Sequence, residues 1–446
     1  MSIKAAEERG LATMRPRFQR GFLLAAVLLA GLILLSCGGK DENGGGTEAT
    51  QPPGGETPGV TDTEILLGAT FPLSQTPASA YAPIADGMRA YFEYVNSQGG
   101  VYGRKIKFLV EDDHFNPADS IEATRKLVVQ DEIFAMVGSL GDLTHAAVYK
   151  YLEEQGVPDM FIGGGTVAFT DPVARTRFGG NPDYYTEGRM LGKYIAETYP
   201  GKKLGLLLEN DAFGMDGKAG ILQGLEGSGV EVVAEETYEG IVFDVTTQTQ
   251  RLKNANPDVI AAYAIPPPAA SLVKTAREVL NWDVPIIVTG VVQTDIFIAL
   301  AGPQNAEGVV SVVFGKQIYQ TDDPGVQQHI QIMKDFGQGV EATNFTLYGS
   351  SMAELMVKSL ENAGPDLTRE SLVEGAEAIQ DYCCTFCLFP VNLGPNDHRP
   401  SEMEVYNKVE NGRWVPFGEK VSFESTPGDV VACEGKDKPV YADEEE

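Results

Sequence analysis

Histidine is scarce in this chain: four among 446 residues, His114, His145, His329 and His398, with no two within five positions of each other. No His-Glu-x-x-His zinc motif, no Gly-x-Ser-x-Gly nucleophile turn and no Walker phosphate loop occurs. Metal-dependent and hydrolytic catalysis therefore lack a sequence basis, and we expect no enzyme activity, no cofactor and no metal site. Ser271-Leu272-Val273-Lys274 has Ser-x-x-Lys spacing but falls within an amphipathic helical pattern, and Asp112-Asp113-His114 reads as a solvated loop after a strand. Basic residues are the second shortage, 34 Lys and Arg against 63 Asp and Glu, for a net charge of −29. Such a surface repels phosphate backbones and anionic headgroups, which argues against nucleic acid as a partner.

Five of these basic residues cluster at the start. Lys4, Arg9, Arg15, Arg17 and Arg20 precede an uncharged apolar run from Gly21 to Leu35, the arrangement of a secretory signal. The run is shorter than the ~20 residues that a membrane-spanning helix needs. It ends in Leu34-Leu35-Ser36-Cys37-Gly38, which resembles the lipobox of bacterial lipoproteins and implies removal of residues 1–36 and acylation of Cys37. A plain signal or anchor with an incidental cysteine is the alternative. Removing that segment takes away five basic and two acidic residues, so the mature chain carries 29 against 61, a net of −32. Gly38 to Gly59 has no large apolar residue and cannot offset its ordering entropy. Residues 37–62 are read as a flexible tether, and the chain as exported and lipid-anchored on the outer face of the cytoplasmic membrane.

Beyond Cys37 only four cysteines remain: Cys383, Cys384, Cys387 and Cys433. Outside the cytoplasm these suggest two disulfides, with three possible connectivities. We favour Cys384 with Cys387 and Cys383 with Cys433. A redox-active Cys-x-x-Cys is the competing reading, but such a pair usually opens a helix, whereas Cys384 to Cys387 lies in a β-like stretch.

From Glu64 onward strand and helix patterns alternate. Predicted strands are 64–70, 105–110, 133–137 and 159–162, with helices at 83–98, 117–130 and 143–155 between them. The alternation restarts after Pro182, with strands at 203–208, 230–235, 259–262 and 285–289 and helices at 186–198, 214–227, 245–255 and 269–280. Repeated βα units imply parallel sheets covered by helices on both faces. About 380 residues exceed what one core comfortably holds, so two lobes are expected. From Gly308 the pattern changes: a strand to Phe314, helices at 325–336, 345–362 and 368–379, then extended segments at 403–409 and 413–417 around Glu410-Asn411-Gly412.

In open α/β sheets ligands bind outside the carboxyl ends of strands. Three loops there are candidates: Phe71-Pro72-Leu73-Ser74, Gly138-Ser139-Leu140-Gly141-Asp142 and Gly163-Gly164-Gly165-Thr166. Glycine lets backbone N–H groups approach a small anion, and a helix N-terminus behind adds a positive dipole end. Ordinary strand-to-helix turns are the competing reading of each.

Pro72-Leu73-Ser74, the segment Asn96-Ser97-Gln98-Gly99-Gly100-Val101-Tyr102-Gly103-Arg104-Lys105, Glu111-Asp112-Asp113, Phe213-Gly214 and Asn256-Pro257-Asp258 together resemble the leucine/isoleucine/valine-binding family of ABC-transporter receptors. The similarity runs from Glu64 to Phe423. It implies a type I periplasmic-binding fold: two doubly wound α/β lobes joined by a three-segment hinge, with the ligand cleft between them. The lobes are expected at 63–184 with 315–390, and at 185–314 with 391–446. Carried over by position, the resemblance implies that a ligand carboxylate meets Ser139, Leu140, Gly141, Asp142, Gly164, Gly165 and Thr166. Phe213 would cover the other side, Ser74 would lie in the loop after the first strand, and Tyr81 and Tyr184 would form the rim. Two departures stand out. Asp142 occupies a loop where the family commonly has Ser or Thr, and Gln293 follows the strand after which amino-acid binders usually carry an acidic residue. The implied function is capture of a small amino acid, amide or aromatic carboxylate for an ABC permease, by a monomer. A sensory receptor domain of the same fold and a thiol oxidoreductase using Cys384 and Cys387 are the alternatives.

Overall fold

The computed structural model describes residues 57–74, 76–401, 403–422 and Cys433. The signal, Cys37 and most of the tether lie outside the described residues. The end of the tether is packed: Leu66 N donates to Gly59 O at 2.7 Å, and Thr57 Oγ1 donates to Leu367 O at 3.2 Å.

Two sheets organise the chain. The first contains β1 (Glu64–Phe71), β2 (Lys105–Asp112), β3 (Ala135–Val137), β4 (Asp159–Ile162) and β5 (Arg177–Gly179), all parallel, in the order β2-β1-β3-β4-β5. The second contains β6 (Lys203–Glu209), β7 (Glu231–Tyr238), β8 (Val259–Tyr263), β9 (Ile286–Val288), β10 (Val310–Val313), β11 (Met403–Glu410) and β12 (Arg413–Ser422), in the order β12-β11-β10-β9-β8-β6-β7. Only β11 and β12 run antiparallel to their neighbours. The central strands β3, β4 and β8 are buried at every position, as expected where helices cover both faces. Helix Pro83–Ser97 shows why the helical periodicity was legible, since Ile84, Met88, Tyr91, Phe92 and Val95 are all buried.

The chain passes between the sheets three times: after β5 into helix Tyr184–Thr198, after β10, and again before β11. Helices Pro324–Phe336, Asn344–Ala363 and Arg369–Glu377 return to the first core, where Val391 and Leu393 still pack. His398 also belongs there, stacked at 3.8 Å on Phe178 and 2.7 Å from Arg177 O.

Several local expectations changed. The helix expected over 143–155 is two short pieces, Asp142–His145 and Tyr149–Glu154. The break follows from buried polar groups: His145 Nε2 lies 2.7 Å from Asp159 Oδ2, and Thr144 Oγ1 donates back to Leu140 O at 3.2 Å. The three-residue β5 and the helix Asp295–Ala301 were too short to give a clear period. The cysteines pair as favoured, Cys383 with Cys433 and Cys384 with Cys387. Cys384 and Cys387 are buried, which denies a redox substrate the access that thiol exchange requires.

Helices Tyr184–Thr198 and Ala212–Gly224 meet backbone to backbone through glycines. A Cβ on Gly220 would lie 2.1 Å from Tyr185 O, and one on Gly188 would lie 2.3 Å from Gly217 O. Gly to Ala in a helix gains ~1 kcal/mol from propensity, but overpacking against immovable backbone costs ~1–3 kcal/mol. Gly220→Ala should therefore lower the urea unfolding midpoint, by up to about 2 kcal/mol of stability; a raised midpoint would show that the two helices have room to separate.

Candidate functional site

The carboxyl ends of both sheets face a common cavity. On the first side the loop after β3 brings Leu140, Gly141 and Asp142 to its wall, and the turn Pro77–Tyr81 brings Tyr81. Asp142 is the organising group. Its Oδ1 accepts from Thr166 N at 3.0 Å and Thr166 Oγ1 at 2.8 Å, and its Oδ2 accepts from Tyr184 O–H at 2.9 Å. Burial outweighs these donors and pushes the Asp142 carboxyl pKa up.

The second side begins where β6 ends. Glu209 is 2% exposed, and its Oε2 accepts from Tyr238 O–H at 2.6 Å. Asp211 caps helix Ala212–Gly224, accepting from Gly214 N at 3.2 Å. Burial, aided by the Asp211 charge, pushes Glu209 up to about 8. Burial likewise raises Asp211 to about 6. Phe213, the second residue of that helix, packs at 4.7 Å on Tyr184 and 5.1 Å on Tyr263.

The crossing segments close the space. Phe314 and Gln317 come from the second crossing, and Gln293 Nε2 donates to Gln317 Oε1 at 2.9 Å. Phe345 and Tyr348 come from helix Asn344–Ala363, and Tyr348 O–H donates to Asn181 Oδ1. The cavity measures about 130 Å³. An engineered cavity of about 150 Å³ admits benzene, so the space suits a small branched or aromatic body. Its lining is mostly apolar, as ligand pockets generally are.

Of the expected site residues, Tyr81, Leu140, Gly141, Asp142, Phe213 and Gln293 line the cavity, together with Tyr184. The others stand behind the wall. Ser74 Oγ donates to Asp112 Oδ2 at 2.5 Å, and Ser139 Oγ accepts from Thr70 N at 3.2 Å. Gly164, Gly165 and Thr166 support Asp142: a Cβ on Gly164 would lie 2.7 Å from Asp142 Oδ1, and one on Gly165 would lie 2.8 Å from the Tyr184 ring. The expected carboxylate cradle is thus filled by the chain's own carboxylate. Sequence reasoning missed Glu209 and Asp211, although one ends β6 and the other follows it two residues on, at a strand's carboxyl end, the signal that had selected the first-side loops. Phe314, Phe345 and Phe386 were missed because only the crossings bring them here, and Phe115, in the loop after β2, was missed although it too follows a strand's carboxyl end. Among the described residues no group of His, Cys, Asp and Glu forms a metal-holding cluster, and no helix is long and apolar enough to cross a membrane.

A family model described as periplasmic binding protein matches residues 64–407. An amino acid binding protein of Pseudomonas aeruginosa is 24% identical over 307 residues, 68% of this chain and 79% of that protein. Among solved structures, a branched chain amino acid ABC transporter protein from Thermus thermophilus with bound valine superposes with a TM-score of 0.74 at 19% identity, covering 81% of this chain and 97% of that one. A solute binding protein from R. palustris in complex with benzoate gives 0.70 at 21% identity, covering 83% and 98%.

Glu209 generates a pH test. Folded, it keeps its proton up to about 8, while its ordinary value is 4.5. Stability must then fall as pH rises between these values, by at most ~1.4 kcal/mol per pH unit. His329, pushed down to about 4 by burial, contributes only below its ordinary 6.5, so the window from 6.5 to 8 isolates the carboxylates. Thermal unfolding across that window should show a declining midpoint in the native protein and a flatter one in Glu209→Gln. Equal slopes would mean that Glu209 is ionised when folded.

Proposed function

Because the chain belongs to the periplasmic binding protein family, with the model spanning residues 64–407, we propose that it is a lipid-anchored solute receptor outside the cytoplasm that delivers a small solute to an ABC permease. It has the type I periplasmic-binding fold, two α/β lobes joined by three crossings. The observation that carries the reading is the cavity, whose walls come from both sheets and from the crossing segments. A space built that way encloses its solute only when the lobes approach, so a solute preferring the closed form shifts the population toward it. The closed shape is what a permease can recognise.

Two contacts already join the halves. Val167 N donates to Asp216 Oδ2 at 2.9 Å, and Tyr184, at the first crossing, holds Asp142. We place the lobes at 63–183 with 315–400, and at 184–314 with 403–422, following which core each segment packs in. The solute is small, with a branched or aromatic body of about the bulk of valine or benzoate, the ligands held by two of the similar structures. The chain acts as a monomer, and Cys37 carries the lipid that keeps it near the permease. No step in capture and handover requires bond chemistry.

Two measurements test this. Cys37→Ala should move the protein from the membrane to the soluble fraction of its cells; continued sedimentation with membranes would remove the lipid anchor. A thermal-shift screen of amino acids, aromatic carboxylates, amides and amines should find a solute that raises the midpoint. Phe213→Ala should weaken that solute about tenfold or more, since a ring of that size supplies much of the buried apolar contact. Binding unaffected by loss of the ring would place the solute elsewhere.

A further inference from the structure

The cavity walls have an uneven electrostatic character that narrows the solute class. Asp142, Glu209 and Asp211 all line it, and no Lys, Arg or His is among the described lining residues. Lys316, beside the lining Gln317, is spent on Asp323 at 3.0 Å. A carboxylate ligand would leave water for a space lined by three acidic groups and no cation, so nothing there would offset its desolvation, and whichever of the three is ionised would repel it.

One buried polar group also awaits a partner. Tyr81 is 8% exposed, lines the cavity, and its hydroxyl has no hydrogen-bond partner among the described residues. It feels the charges of Glu209 and Asp142, which places it at the acidic end. Asp142 is already engaged by Thr166 and Tyr184, and one Glu209 oxygen by Tyr238. Tyr81 Oη and the hydrogen-bonded pair of Glu209 and Asp211 are therefore the groups positioned to accept from a ligand. The unpartnered donors in the wall, Asn344 Nδ2 and the Tyr81 O–H itself, are both neutral. Neutral donors suit a ring face or a hydroxyl and cannot neutralise the charge of a carboxylate. Around these groups stand Tyr81, Phe115, Tyr184, Phe213, Phe345 and Tyr348, whose ring faces attract a desolvated cation.

Resting on the solute-binding reading above, we propose that the solute is a small organic cation, a branched or aromatic body bearing an ammonium group and no carboxylate, with its nitrogen at the corner formed by Tyr81, Glu209 and Asp211. The two departures noted in the sequence then have one explanation. Asp142 fills the place where a ligand carboxylate would be received, and the acidic group absent at Gln293 is supplied instead at the end of β6.

Isothermal titration of the mature chain with matched probes tests the proposal: 2-phenylethylamine and 3-methylbutylamine, the neutral 3-phenylpropanamide, 3-phenylpropanoate, and phenylalanine and leucine. The amines should bind about tenfold or more tighter than the amide, and the carboxylate and amino acids more weakly still. Asp211→Asn, which retains helix capping, should weaken the amines about tenfold and leave the amide within about twofold; Glu209→Gln is the companion variant that preserves shape. A carboxylate or amino acid binding as tightly as its matching amine, or amine binding indifferent to Asp211→Asn, would overturn the cation assignment and leave the receptor reading standing. If no probe of any charge binds a chain that unfolds cooperatively, both fall.

Discussion

The carboxylate of Asp142 gathers the loops after β3 and β4 and the start of the first crossing helix around one acceptor. Three donors converge on it, two from Thr166 and one from Tyr184, and removing it would leave all three buried and unsatisfied. Each such loss costs ~1–3 kcal/mol. The geometry of the first-side wall depends on this arrangement. Gly164 and Gly165 have no side chain because the carboxylate and the Tyr184 ring occupy that space. A wall fixed in this way is ordered before any solute arrives, so binding need not supply that ordering.

The second wall is built differently. Glu209 and Asp211 sit where β6 gives way to a helix, and burial rather than pairing governs their protonation. An acidic, desolvated corner opposite a ring-lined apolar space discriminates by charge as well as by shape. The net charge of the chain points the same way, since an acidic surface repels anions before they reach the cleft. The crossings bring both walls together, and without them the two acidic groups and the first-side loops would belong to separate sheets.

Much of this was legible in the sequence because burial on both faces of parallel strands leaves near-continuous apolar runs, as in EILLGATF and KLGLLLE. The helix faces read equally well, Pro83–Ser97 above all. What escaped had a physical cause. His145 and Thr144 break a helix whose pattern looks continuous, through hydrogen bonds to partners distant in sequence or one turn back. The hydroxyls of Ser139 and Thr166 looked free for a ligand, and only the folded chain shows them occupied by Thr70 N and Asp142. Phe314, Phe345 and Phe386 carry no local signal of facing a cavity. Glu209 was the avoidable omission, since its position at a strand end was visible.

The central claim is that a solute is enclosed between the two halves against these particular walls. A crystal structure of the protein with its transported solute bound tests it most directly. The account predicts the apolar body against Phe115 and Phe213 and the polar end within hydrogen-bonding distance of Tyr81 and Asp211, with Asp142 still held by Thr166 and Tyr184. A solute seated outside this cavity, or one whose binding frees Thr166 from Asp142 to receive it, would contradict it.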